Sequence, residues 1–183
     1  KYDKSHRYYF NALEKNEKLK DNDGIDSCHL GIGTLQYYHG DMDKAIATLI
    51  IASKAYDMAD NKSGMANCFN SLGGINDSKN DFKAALNFFS KMLKLKKELD
   101  DKQGVSTAHT NLANVYMATM EYSKALDNFQ LALTIDKELG DVYNLSIVQT
   151  DMAWLYLKIS ENIKNNPSKK WIQLKNALDL GLE

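Results

Sequence analysis

The sequence predicts an all-α solenoid of antiparallel helix pairs, and three observations carry that prediction. Slid against itself, the chain of 183 residues falls into register at forty. Gly24, Gly64 and Gly104 align, as do Gly33, Gly73, Ala113 and Ala153, then Met42, Phe82 and Tyr122, then Ala45, Ala85 and Ala125. Tyr9, Leu49, Phe89 and Phe129 make another column, followed by Ala12, Ala52, Met92 and Ala132. A fixed period between roughly 20 and 50 residues, with small and large residues kept in their columns, is the signature of stacked repeats. The second observation is helical spacing within each period. Leu112, Ala113 and Tyr116 share a face of one stretch, and Ala125, Phe129 and Ala132 share a face of the next. The third is that no stretch alternates with period two for long enough to make a strand. A helical hairpin of this kind cannot bury its apolar stripe alone, so its neighbours must cover it.

These columns resemble the tetratricopeptide repeat, whose pattern is W-x2-L-G-x2-Y, then A-x3-F-x2-A, then P. Ile32-Gly33, Leu72-Gly73 and Leu112-Ala113 match the L-G pair, Tyr116 and Tyr156 match the Tyr, and Ala125, Phe129 and Ala132 match the second half. The resemblance covers nearly the whole chain. It departs at the Trp position, held by His29, Phe69, His109 and Gln149, and at the Pro position, held by Asp57, Lys97 and Lys137. Without that Pro the second helix is expected to run about another turn, which would stretch a period of about 34 to forty. The resemblance implies a right-handed superhelical array whose first helices line an inner, concave wall. Similar long repeats occur in kinesin light chains, in bacterial peptide-sensing regulators and in the sensor regions of some bacterial histidine kinases.

Taken in order, residues 1–183 are expected to form one array. Residues 1–23 make a partial opening repeat, 24–63, 64–103 and 104–143 three complete repeats, and 144–183 a divergent fourth with an insertion. The chain starts at Lys1 inside a second-helix pattern and is expected to be a piece cut from a longer protein. A second helix is predicted over about Ser5 to Lys20, stopped by Asp21-Asn22-Asp23-Gly24. A first helix follows over about Ile25 to Tyr38, a turn at Gly40-Asp41, and a second helix over about Asp43 to Ala59, repeated after Gly64 and after Gly104. Asp41, Asp81 and Glu121 are expected to accept from the free amides at the start of the next helix. A fourth first helix is predicted from about Val142 through MAWLYLKIS. A polar insertion at Asn162 to Asn166 and Pro167 follows, then a closing helix from Lys169 to Leu182, about nine helices in all.

The 23 basic and 24 acidic residues leave a net charge of −1, which gives nucleic acid or an anionic membrane no reason to bind. The longest apolar run, Ala45 to Ala52, is far too short to span a bilayer. Cytoplasm is compatible with this composition, and so is the periplasm if the chain belongs to a sensor kinase.

Residues that suggest chemistry read better as structure. Cys28 and Cys68 share a column; equivalent positions on stacked repeats lie about a helix diameter apart, beyond the ~7 Å reach of a disulfide, so both are expected to be small core residues. No Cys or His spacing suits zinc, and neither a metal nor a cofactor is expected. His29 and His109 stand in the Trp column, where a satisfied core histidine is expected, while His6 and His39 are surface or turn residues. Gly31 to Gly33 and Gly73-Gly74 lie in apolar periodic segments with no following G-K-S/T; they are expected to permit close helix approach rather than to cradle phosphate. The lysines of KMLKLKKELDDK, Lys91 to Lys102, are answered by Glu98, Asp100 and Asp101, which makes a solvated face with internal pairing.

On the concave wall that the resemblance implies, the inward positions are Thr34, Tyr37 and Tyr38, then Asn67 and Asn70, then Thr110, Asn111 and Asn114, and last Asp151, Trp154 and Lys158. Asn offers a donor and an acceptor together, which suits an extended peptide backbone, and Tyr and Trp add apolar area with little entropy lost. The expected function is therefore to bind a protein or peptide segment in that groove without chemistry of its own. The resemblance makes the chain the sensory or scaffolding part of a larger bacterial signalling protein. A peptide-regulated phosphatase-like or transcription-regulator array is the alternative, and a structural spacer or homodimerisation unit is a third reading.

Overall fold

The computed structural model describes residues 2–19 and 22–165. Among them are eight helices and no strand: α1 Tyr2–Leu19, α2 Asn22–Tyr38, α3 Met42–Met58, α4 Lys62–Ser78, α5 Phe82–Glu98, α6 Lys102–Ala118, α7 Tyr122–Leu139 and α8 Val142–Asn165. The closing helix expected at Lys169 to Leu182 lies outside the described residues. None of the described helices is long and apolar enough to cross a membrane.

The period of forty is two equal halves. Helices α2 to α6 are each 17 residues long and are linked by three residues. The extra length over a 34-residue repeat is therefore shared by both helices and is not an extension of the second alone. The reason lies in the links. Gly40, Asp60, Asn80, Asp100, Met120 and Gly140 all have positive φ, between 51° and 85°. A left-handed residue there ends each helix, and the amide of the residue after it turns back onto the helix it leaves. Asp41 donates to the Gln36 carbonyl at 2.9 Å, Asn61 to Tyr56, Asp81 to Asn76 and Glu121 to Tyr116 at 2.8 Å each, and Asp141 to Asp136 at 3.0 Å.

That same residue opens the next helix. Asn61 accepts from the Gly64 amide at 2.9 Å, Asp81 from Ala84 at 3.1 Å, Asp101 from Gly104 at 2.8 Å and Asp141 from Asn144 at 3.0 Å. Of the three caps expected from sequence, Asp81 alone forms. Asp41 and Glu121 make no side-chain cap, because each has a lysine three residues on and pairs with it, Asp41 with Lys44 and Glu121 with Lys124. The glycine column is also corrected. Gly64 and Gly104 are not linkers but lie in the first turn of α4 and α6, and α2 already begins at Asn22, inside the stretch expected to stop α1.

The described chain forms two compact bodies, one ending at Leu99 and the other beginning at Asp100. In the first, α1 packs on α2, α2 on α3, α3 on α4 and α4 on α5, with α2 also touching α4. In the second, α6 packs on α7 and α7 on α8, with α6 touching α8. Ala45, Ala85 and Ala125 are fully buried. A Cβ on Gly33 would stand 2.7 Å from Leu49, one on Gly73 2.5 Å from the Phe89 ring, and one on Gly64 2.3 Å from the Tyr56 ring. These glycines let large side chains lie against helix backbone. Leu72 and Ile75 complete the core of the first body, with Cys68 beside Tyr56 and Ala52.

In the second body Val148, Met152, Leu155 and Ile159, at helical spacing on α8, close over Ala125, Phe129 and Ala132 of α7. The polar insertion expected at Asn162 to Asn166 is helical through Asn165. Asn162 continues the helix because its amide reaches the Lys158 carbonyl at 3.0 Å and the Tyr122 hydroxyl at 3.1 Å. Cys28 and Cys68 are buried core residues, and His109 is buried with Nδ1 at 2.8 Å from Asn128 Oδ1.

Candidate functional site

In the first body three of the five residues expected on the wall, Thr34, Tyr37 and Tyr38, line a depression between α2 and α4, and Asn67 and Asn70 do not. Thr34, Tyr37 and Tyr38 of α2 and Ser71, Gly74 and Ile75 of α4 line a depression of about 150 Å³. The spacing of 34, 37 and 38 on one helix and of 71, 74 and 75 on the other puts each trio on one face. Tyr37 is held in place. Its hydroxyl lies 2.8 Å from Ser78 Oγ, and the Ser78 hydroxyl donates to the Gly74 carbonyl at 3.0 Å, so the Tyr37 hydroxyl is the donor of the pair. The Tyr38 ring stands 5.5 Å from the Tyr37 ring, tilted by 49°, and is exposed. Thr34 turns its hydroxyl to the Leu30 carbonyl at 2.9 Å and offers its methyl.

Gly74 differs from its neighbour Gly73, since a Cβ there would meet nothing within 4 Å. Close helix approach therefore explains Gly73 but not Gly74, whose missing side chain leaves the floor of the depression open. Asn67 is exposed and Asn70 half-buried on the same helix. Asp77, one turn beyond Gly74, is half-buried, and burial pushes its carboxyl above the usual carboxylate range.

In the second body the wall is more committed to the fold than the sequence suggests. Thr110 is buried, with its hydroxyl on the Ser106 carbonyl at 3.2 Å, and does not reach a surface. Asn114 donates to Asp151 at 3.0 Å, joining α6 to α8, and its Oδ1 is buried without a partner. Asn111 is half-buried. Trp154 is 56 % exposed, and Lys158 is exposed and pairs with Glu161 on its own helix at 3.4 Å.

A larger depression, about 300 Å³, lies on another side of the first body. Met65, Phe69 and Leu95 form its apolar part. Its lysines and Glu98 have partners. Lys62 pairs with Glu98 at 2.8 Å, Lys94 approaches Glu98 at 4.0 Å, and Lys91 sits over the Phe69 and Phe88 rings at 5.5 and 5.6 Å. Of the internal pairing expected of the Lys91 to Lys102 run, the contact of Lys94 with Glu98 forms at 4.0 Å, while the shorter pair of Glu98 is with Lys62. Lys102 turns to Glu138 at 3.6 Å, Asp101 caps α6, and Lys96 is buried rather than solvated.

Sequence reasoning missed Ser71, Gly74, Ile75 and Ser78. A signal for Gly74 exists: at a period of forty it stands in one column with Thr34, Asn114 and Trp154, two of which were already placed on the wall with Thr34.

Antiparallel helix pairs at a forty-residue period define a helical-repeat fold. Residues 108–143, from within α6 to the start of α8, match the family model described as tetratricopeptide repeat. Among solved structures, BtubC (BKLC) from P. vanneervenii superposes with a TM-score of 0.78 at 21 % identity, covering 97 % of this chain and 74 % of that one. Aspartyl phosphate phosphatase F from Bacillus subtilis superposes with a TM-score of 0.68 at 14 % identity, over 97 % of this chain and 58 % of that one. At such identities the likeness is one of fold. No curated protein sequence matches the chain.

Proposed function

We propose that the chain binds a peptide or protein segment along the first-helix face, without chemistry of its own, as the sensory or scaffolding part of a larger signalling protein. The observation that carries this reading is Gly74. A glycine inside a helix is less favourable than alanine by about 1 kcal/mol, and here no packed neighbour requires it. What it does is keep space open between Tyr38, Thr34 and Ile75, where a ligand's backbone can come close. Exposed aromatic area beside half-buried amide and hydroxyl groups suits an extended segment that hydrogen-bonds through its main chain and seats a few side chains. On the other side of the first body Lys62 and Glu98 are paired and Lys91 is held over two rings, which favours the α2–α4 face over it.

The test is selection of peptides from a random displayed library on the full chain, followed by titration of a selected peptide. Gly74→Leu fills the depression from a backbone position with free space around it, so the helix content and melting temperature should hold while affinity falls about tenfold or more, as loss of a buried anchor does. Unchanged affinity, with the peptide's footprint around Lys62, Lys91 and Glu98, would overturn the reading.

A further inference from the structure

Helix α8 has two apolar faces, and among the described residues only one of them is covered. Val148, Met152, Leu155 and Ile159 close over α7, while Tyr143, Ile147, Trp154 and Leu157 are exposed. With Thr150, also exposed, the second set advances by four, three, four and three residues, the spacing that keeps one stripe along a helix. At 100° per residue its mean direction lies about 150° from that of the buried set, so it stands on the side away from α7. A helix apolar on opposite sides is covered on both in a stable assembly, and a contiguous exposed stripe of this kind marks an interaction surface.

What singles out a second copy of the chain as the cover is that the stripe complements itself. Two α8 helices run antiparallel, about a two-fold axis between Thr150 and Trp154, set each Thr150 against the partner's Trp154 and each Ile147 against the partner's Leu157. Tyr143 then meets the partner's Glu161, the next residue of the stripe, and its hydroxyl can donate to that carboxylate. A slip of seven residues either way leaves Leu157 or Tyr143 beyond the end of the partner's stripe. A parallel pair would put two Trp154 rings in one layer and oppose Glu161 to Glu161 and Lys164 to Lys164, whereas the antiparallel pair brings Lys164 to the start of the partner's α8, beside the partner's Asp141.

We propose that two copies of the chain associate through the exposed stripe of α8, antiparallel about that two-fold axis. The proposal goes beyond the peptide-binding reading and shares no residue with the α2–α4 depression; Trp154, expected on a peptide wall, receives a different occupant. Four large side chains and their neighbours from each copy cover on the order of 1,000 Å² in total, near the lower bound of a specific interface, so the dimer should dissociate in the micromolar range.

The experiment is sedimentation equilibrium of the full chain from about 1 μM to about 1 mM. The mass should rise from that of one chain to that of two and stop there, because a two-fold contact closes on itself. Trp154→Glu places two carboxylates in the contact and removes a ring from each copy. It should weaken association about a hundredfold, a factor of about ten from each copy. Thr150→Glu alters an exposed polar residue, so it leaves the fold of the single chain intact and should weaken association as well. Helical circular dichroism of both variants checks that they fold. A short bismaleimide reads the orientation, since the native Cys28 and Cys68 are buried. Ala153→Cys, exposed and close to the axis, should be joined copy to copy across helices about 10 Å apart, whereas the two copies of Lys164→Cys would lie about 36 Å apart along the axis and should not be joined. The mass of one chain at every concentration would overturn the proposal, whatever else then covers the stripe, and so would growth beyond two chains. A dimer indifferent to both glutamate substitutions, or one in which Lys164→Cys is joined as readily as Ala153→Cys, would overturn it too.

Discussion

At Asp136 a carboxylate is fully buried near the end of α7, and neither of its oxygens makes a hydrogen bond of ordinary geometry. Burial pushes its carboxyl above the usual range; the Ser106 hydroxyl offsets this in part and the like charge of Asp141 adds to it. A raised native value means that the folded state holds the proton more tightly than the unfolded chain. Stability contributed by this group is present at low pH and is lost as pH rises from the ordinary aspartate value through the native one. Asp136→Asn should therefore stabilise the protein at neutral pH, and its advantage should shrink on acidification toward pH 4. Acids held low by lysine partners, Asp43, Glu98 and Glu121 among them, move stability the other way, so the difference between wild type and variant is the quantity to follow in thermal melts. Met120 is the other residue that the fold strains. It has φ of 61° where the equivalent links use Gly, Asn or Asp, and its side chain is 67 % exposed. Met120→Gly should raise stability by about 1 kcal/mol in urea unfolding, because a left-handed conformation is unfavourable for a residue with a long side chain and little packing is given up.

For a helix, the test is a pair of adjacent glycines. Gly73→Ala would place a methyl 2.5 Å from the Phe89 ring and should destabilise by about 1–3 kcal/mol, whereas Gly74→Ala meets open space and should stabilise by up to about 1 kcal/mol through helix propensity. Ala85→Leu, at a fully buried contact of α4 with α5, should also destabilise by about 1–3 kcal/mol through overpacking. This contrast explains what could be read in advance. Helices and their packing faces were legible because small and large residues recur in columns, and a column records what a helix packs against. It does not record empty space, so the column of Gly74, shared with Thr34, Asn114 and Trp154, marks the wall without telling that the space beside it is open. Thr110 was misplaced because it borders the packing positions His109, Leu112 and Ala113, and a turn of 100° per residue leaves such a border position either in or out. The engagement of Asn114 is not legible in sequence because its partner, Asp151, lies 37 residues away on another helix. The caps were misread for a local reason: an acid at the right position is diverted when a lysine follows at three residues, as at Asp41 and Glu121.

At the scale of the molecule, the helical content of the described residues predicts a far-ultraviolet circular dichroism spectrum of helical shape, and a substantial strand contribution would contradict the fold. Cys28 and Cys68 are 5 % and 0 % exposed, so a thiol reagent should modify neither in the native protein at a rate that matters and both on unfolding in urea. Rapid labelling of native protein would show that the core around them opens. The same burial makes Cys28→Ser and Cys68→Ser modestly destabilising through buried polarity, with no change in fold.

The three-residue links give the chain something like a reading frame. Every twentieth residue from Gly40 to Gly140 is left-handed; the residue after it closes one helix at Asp41, Asn61, Asp81, Glu121 and Asp141 and caps the next at Asn61, Asp81, Asp101 and Asp141. A single residue inserted within α4 would rotate everything downstream in that helix by about 100° and bring Leu72 or Ile75 out of the core. Forty residues copied in tandem, such as Asn61 to Asp100, would instead begin on a cap and end on a left-handed residue, and both seams would reproduce junctions already present. Length in this chain is thus free to change in whole paragraphs and resists changing by a letter.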